Sequence, residues 1–340
     1  MKQSVVVLGS GGVGKTTVAA AMGLAMAQKY SRGAIFTVDP SQRLCQTLGL
    51  KHLSLEPSLM CEGRVEVYGL EIQDALKKLL VKVIHDPKKV ETILNHRLFR
   101  MIEGNVSHLD HFLAMEKIVE LIKREDLDFL VVDTPPHDQA FEFFEAPKVL
   151  SSFLDKAFLK ILMDPKISSD NLVARVVNKA MDEGWKIFRS FMGDSFWQEL
   201  ATLLEELMPL RDKLLSATES MNAFLHASNT QAALVCVPER ASLAVAEELN
   251  QNWKSKLNLE VKDLVFNRAQ PADLKMQQEL KGTLFYEKFE LQKQLYASEF
   301  FKSFERVALI HPRSPRDMGL KVLEEIGHDL VEKFNFESKV

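Results

Sequence analysis

The chain has 340 residues, a formal charge of −4, 46% hydrophobic and 26% charged residues. This ordinary globular usage excludes wholesale disorder, and at ~150 residues per domain it predicts about two units. The mild acidity argues against a dedicated nucleic-acid binder, and three cysteines (Cys45, Cys61, Cys236) without a CxxC pair argue against a disulfide framework, structural zinc or an iron–sulfur cluster.

Apolar, mostly β-branched runs predict strands at residues 4–8, 34–39, 65–71, 127–133, 232–238, 261–267 and 306–310. Helical spacing fills the segments between them, the pattern of an α/β fold with a mostly parallel sheet flanked by helices. A near-continuous apolar strand such as Phe129-Leu130-Val131-Val132 fits a sheet covered on both faces.

One connection is too long. From 138 to 231 run roughly 90 residues without a strand pattern, where a crossover needs about a dozen. Apolar pairs recur there at helical spacing, with Leu200, Leu203/Leu204 and Leu207 at its end, and Pro165, Gly193 and Pro209 mark breaks. The expected organisation is therefore a sheet domain of residues 1–138 and 232–340, interrupted by a helical insertion at 139–231.

The segment Gly9-Ser10-Gly11-Gly12-Val13-Gly14-Lys15-Thr16-Thr17 matches the G-x-x-x-x-G-K-[ST] phosphate loop, between a strand and a helix rich in small apolar residues. Glycines let backbone N–H groups converge on an anion, and the helix N-terminus adds a favourable dipole. Gly11, Gly12, Val13, Gly14, Lys15, Thr16 and Thr17 are thus the expected phosphate contacts. Lys15 is placed for the β- and γ-phosphates of ATP, and Thr16 for Mg²⁺. Asp133 and Asp39 end predicted strands, where ligands bind in open α/β sheets. Asp133 stands in the place of a Walker B acid near the metal; each carboxylate reads alternatively as a helix cap. Asn267-Arg268-Ala269-Gln270 keeps the asparagine of a guanine-reading Asn-Lys-x-Asp motif but has Gln270 in place of its carboxylate, which favours adenine.

With the glycine loop, Thr37-Val38-Asp39-Pro40 and Val131-Val132-Asp133-Thr134-Pro135-Pro136, the chain resembles the anion-pump ATPase family of arsenite pumps and tail-anchored-protein targeting ATPases. The resemblance continues through Val235-Cys236-Val237-Pro238-Glu239, Val265-Phe266-Asn267 and residues 312–319. It implies a P-loop NTPase that hydrolyses Mg-ATP. Lys15 and Asp39 would be catalytic, with Asp39 placing the attacking water. Thr16 and Asp133 would serve the metal, and Asn267, Pro312 and Arg313 the adenine. It also implies a homodimer whose nucleotide state is coupled to a helical client or ligand site.

Three departures stand out. Ser10 replaces a lysine that the family sends across its dimer to the partner's phosphates, so turnover is slow or Arg43 supplies the charge; Arg43 reads equally as a solvated helix residue. The segment after Asp133-Thr134 has two prolines and no glycine. The CxxC of the targeting ATPases and the clustered thiols of a metalloid site are absent from the sequence. A nucleotide-binding regulatory or client-holding module with negligible turnover is the alternative. A polar-positioning ATPase is a third, weakened by Glu324, Glu325, Asp329 and Glu332 on the amphipathic tail at 320–334.

Nine of the 21 Phe fall in residues 138–231, with five Met and two Trp. They either form an adaptable groove for an apolar helix or pack on one another. His108 and His111 read as a polar helix face rather than a metal pair, and Lys77, Lys78, Lys82, Lys88 and Lys89 as a solvated one. No run approaches ~18 apolar residues, so no integral membrane span is expected. Residues 4–8 are too short for a signal-peptide core, which predicts a cytoplasmic protein with a membrane partner protein left open.

Overall fold

The computed structural model describes residues 2–38, 42–103, 109–135, 143, 194–270, 283–313 and 319–334. Among them lie eight strands: β1 (Gln3–Gly9), β2 (Gly33–Thr37), β3 (Ser58–Met60), β4 (Val65–Gly69), β5 (Phe129–Asp133), β6 (Thr230–Cys236), β7 (Asp263–Asn267) and β8 (Arg306–Ile310). They form one sheet in the order β3-β4-β2-β5-β1-β6-β7-β8, parallel except for the β3–β4 pair. The fold is α/β, as expected, and all seven predicted strands are present with ends shifted by a few residues.

The sequence reading missed β3. Its three residues, Ser-Leu-Met, include no β-branched side chain, and Leu59 is 60% exposed, so no apolar pattern announces it. It is defined by pairing with β4.

The α-helices among the described residues are α1 (Lys15–Lys29), α2 (Gln42–Leu48), α3 (Ile72–Ile84), α4 (Pro87–Asn95), α5 (Arg97–Glu103), α6 (Leu109–Lys123), α7 (Asp194–Leu207), α8 (Pro209–Leu225), α9 (Arg240–Leu257), α10 (Leu284–Tyr296), α11 (Glu299–Lys302) and α12 (Leu320–Lys333). Local chemistry sets their ends. Asp86 caps α4 by accepting from Lys88 N at 3.0 Å and Lys89 N at 3.2 Å, with Pro87 in the first turn. Asn258 ends α9 in the left-handed conformation, φ 53°. Pro209 opens α8, the expected break.

The chain divides into two compact units. One comprises Met1–Glu71, Ala114–Phe143 and Ser220–Val340; the other comprises Ile72–Leu113 and Phe144–Glu219. The first holds the whole sheet. Strands β2, β4 and β5 are buried at every position. Helix α1 is buried from Val18 to Ala27, as its run of Ala, Gly and Met demands. Among described residues the second unit is helical. Its α3 buries Ala75, Leu76, Leu79 and Leu80, while Lys77, Lys78 and Lys82 are exposed, as the basic stretch predicted. His111 departs from expectation. It is buried rather than on a solvated face, with Nε2 3.8 Å from Asp110; His108 lies outside the described residues.

Much of the expected insertion also lies outside the described residues. Of the aromatic and methionine side chains described there, Phe143, Trp197, Met221 and Phe224 are buried, and Phe196 and Met208 are half-buried. Phe196 meets Trp197 edge to face at 5.2 Å.

At the amino edge of the sheet a buried ion cluster ties the layers together. Glu66 on β4, 1% exposed, accepts from Arg32 Nε at 3.0 Å and Arg124 Nη2 at 3.0 Å, and from the Tyr68 hydroxyl. Burial pushes the Glu66 carboxyl up, but donation from Arg124, Tyr68 and Arg32 outweighs it and holds the group down at about 2.

Candidate nucleotide site

The carboxyl ends of the parallel strands converge on the glycine loop, the crevice where open α/β sheets bind ligands. The loop leaves β1 at Gly9 and enters α1 at Lys15. Gly14 caps the helix with φ 96°, a left-handed conformation that a side chain adopts only with strain. A Cβ there would also stand 2.5 Å from Asn267 Nδ2, so only glycine fits. Gly14 supplies no side chain to cap α1 and no acidic residue sits in its first turn, so the positively poled helix end suits an anion. A Cβ at Gly11 or Gly12 would meet nothing within 4 Å, so the loop borders open space.

Lys15 is 7% exposed, and its Nζ donates to the Ser10 carbonyl at 2.9 Å. Thr16 and Thr17 are half-buried at the start of α1. The residue adjoining the loop on the neighbouring strand is set by register. Val7 pairs with Asp133, and Asp133 pairs with Thr37 on its other side. Asp133 is 2% exposed and its Oδ2 accepts from the Thr37 hydroxyl at 2.8 Å. Thr134 donates its hydroxyl to Val7 O at 2.8 Å, which pins the chain after β5 against β1.

Two residues on the far side of β1 also reach the loop. Asn267 ends β7 and donates from Nδ2 to Val13 O at 2.7 Å. Arg268 donates from Nη2 to Gly12 O at 3.2 Å. The next segment is held as well. Ala269 N donates to Ile310 O at 2.9 Å, and His311 Nδ1 lies 2.9 Å from Ala269 O. Gln270 N donates to Gln292 Oε1 at 2.7 Å, and Gln292 Nε2 donates back to Gln270 O at 3.0 Å. These bonds bring the loop after β8, with exposed Pro312 and Arg313, beside the segment after β7. Arg313 Nη1 lies 3.8 Å from Glu325.

Asp39 lies outside the described residues, as do Pro40 and the side chain of Arg43. Sequence reasoning missed Thr37, Arg268 and Gln292. Thr37 could have been found only through the β2–β5 register. Gln292 lies 22 residues from its partner and carries no motif.

A family model of anion-transporting ATPases matches residues 2–332. The chain belongs to the anion-transporting ATPase family. Its relatives are distant. It is 22% identical over 331 residues to "ATPase GET3A" of Arabidopsis thaliana, covering 96% of this chain and 83% of that one. It is 23% identical over 272 residues to "ATPase ASNA1 homolog" of Entamoeba dispar, covering 78% and 76%. It is 24% identical over 217 residues to "Putative arsenical pump-driving ATPase 2" of Aquifex aeolicus, covering 60% and 70%. The anion-transporting ATPases are ATPases by name, so nucleotide binding follows at family level. Among the described residues no helix is long and apolar enough to cross a membrane, and no group of three or more metal-ligating His, Cys, Asp or Glu occurs.

Proposed function

We propose that this chain is a Mg²⁺-dependent ATPase of the anion-transporting type whose nucleotide state controls a helical client or ligand site. The observation that carries the reading is the uncapped α1 N-terminus beside Lys15, with Asp133 one strand away and oriented by Thr37. An uncapped, positively poled helix end without an acidic first turn fits phosphate, and a buried carboxylate beside it fits a cation.

Lys15 binds the β- and γ-phosphates, and the amides from Gly11 to Thr17 cradle them. Thr16 and Asp133 would hold Mg²⁺, which neutralises developing charge on the phosphates. Asp39 places the attacking water. Asn267 has one Nδ2 hydrogen and one Oδ1 lone pair beyond its bonds to Val13 O and Arg268 N. That pair complements the N7 acceptor and N6 donor of adenine. Pro312 and Arg313 border the same end of the site. ATP is therefore the nucleotide, and Gln270 offers no carboxylate to guanine. The chain acts as a homodimer in the cytoplasm, with the helical segment 139–231 receiving an apolar helix or meeting a membrane partner protein.

Steady-state phosphate release with Mg²⁺ and with EDTA, for wild type and Asp39→Asn, tests the reaction. Release that needs Mg²⁺ and falls in the variant supports it. Tight ATP binding with equal background rates in both would overturn hydrolysis and favour the regulatory or client-holding module, to which Ser10 points. Co-purification of Asp39→Asn with and without ATP tests the client: no apolar peptide retained in either state counts against it.

A further inference from the structure

Strand residues alternate faces, so Asn267 and Arg268 should point to opposite sides of the sheet. They do not act that way. Arg268 has left the strand with φ 57°, a left-handed conformation uncommon for a non-glycine residue. The turn brings two consecutive side chains onto two consecutive carbonyls of the phosphate loop, Arg268 on Gly12 O at 3.2 Å and Asn267 on Val13 O at 2.7 Å. The backbone is fixed from the other side by Ala269 N on Ile310 O and by the reciprocal Gln270–Gln292 pair.

A trans peptide holds its C=O and N–H on opposite edges, and the described chain has no cis bond. Fastening the carbonyls of Gly12 and Val13 toward β7 therefore aims the N–H groups of Val13 and Gly14 the other way. We propose that Arg268 is a positioning residue of the nucleotide site: with Asn267 it clamps the phosphate loop from outside, so that the loop's amides are aimed before the anion arrives. The base-side segment and the phosphate-side loop then form one preorganised body, and occupancy at one end is felt at the other. This inference rests on the nucleotide reading above. It assigns Arg268 to the loop, not to the reacting phosphate.

The test is calorimetric titration with ADP of wild type and of Arg268→Ala, Arg268→Gly and Arg268→Lys. Glycine is at ease in the left-handed conformation, so Arg268→Gly removes the guanidinium without straining the fold. Both truncations should raise the ADP dissociation constant about tenfold, the scale of one lost charge-assisted hydrogen bond. Arg268→Lys should recover most of that loss, and the thermal midpoint of Arg268→Gly should match wild type. Amide exchange at Val13 and Gly14 should quicken in Arg268→Gly and not elsewhere in the sheet. ADP binding by Arg268→Gly within twofold of wild type would overturn the clamp, as would a loss that lysine does not rescue. A wild-type chain that binds no ADP would instead remove the nucleotide reading on which the clamp rests.

Discussion

Thr37 and Asp133 stand side by side at the carboxyl ends of β2 and β5, joined by a 2.8 Å hydrogen bond from the threonine hydroxyl to Oδ2. Both are buried. A hydrogen bond to a carboxylate contributes about 1.5–3 kcal/mol to stability. Thr37→Val keeps the shape and deletes the donor. Urea unfolding should show a loss of about 2 kcal/mol, and the Mg²⁺ concentration for half-maximal phosphate release should rise several-fold. Wild-type values for both would mean that the bond orients nothing the metal uses.

The cluster at the opposite edge of the sheet makes a prediction about acid. Glu66 sits between Arg32, Arg124 and Tyr68 with its carboxyl held down at about 2. A carboxyl lowered by folding gives stability that is complete above its unfolded value, near 4.3, and is lost as pH falls toward 2. Glu66→Gln leaves two part-exposed guanidinium groups around a neutral amide, and losing these charge-assisted bonds costs about 1.5–3 kcal/mol. Denaturant midpoints should therefore separate the two proteins widely at pH 7. The gap should narrow between pH 4.5 and pH 2. A gap that is constant across that range would show that Glu66 acts by shape and not by charge.

How much of this was readable in advance follows from the range of each interaction. The phosphate loop was legible because its chemistry lies in nine consecutive residues, Gly9 to Thr17, between a strand and a helix. The strands were legible because burial on both faces forces apolar runs such as Phe129 to Val132. Thr37 was not, because its role depends on a register between strands 96 residues apart. Arg268 was visible only as part of Asn267-Arg268-Ala269-Gln270; the left-handed turn that aims it at Gly12 leaves no composition signal in a non-glycine residue. The partition of the helices was equally hidden. Contacts group Ile72–Leu113 with Phe144–Glu219, though the two are separated by β5 in the chain.

The helix that follows the phosphate loop is also held from its far side. A Cβ at Gly327 on α12 would stand 1.9 Å from Ala21 O and 2.6 Å from Ala21 C, backbone atoms of α1 that cannot rotate away. Alanine is favoured over glycine in a helix interior by about 1 kcal/mol, so the sign of the effect is informative. Gly327→Ala should destabilise by about 2 kcal/mol or more, because the helices must part. Glu324→Ala, exposed on the same helix, should stay within about 0.5 kcal/mol of wild type. Chemical denaturation of the two variants decides the matter. A stabilised Gly327→Ala would show that α12 moves freely against α1.

Gln292 supplies the last prediction. Its side chain is 2% exposed and satisfies both backbone groups of Gln270, accepting at 2.7 Å and donating at 3.0 Å. Gln292→Leu fills the space but takes both partners from the half-buried N–H and C=O of Gln270, at about 1 kcal/mol each. It should unfold earlier and, by releasing the segment behind Asn267 and Arg268, bind ADP more weakly. Gln292→Glu is the sharper variant. As a carboxylate it can accept from Gln270 N but cannot donate to Gln270 O, and burial disfavours its charge. Once protonated it regains one donor and one acceptor, which restores both bonds. Its folded pKa is therefore raised, so its stability is recovered at low pH and lost as pH rises through that raised value. Thermal midpoints of Gln292→Glu should lie close to wild type at pH 5 and well below it at pH 8, while Gln292→Leu stays equally low at both. A Gln292→Glu deficit that does not change with pH would mean that the donor half of the pair contributes nothing to holding the segment.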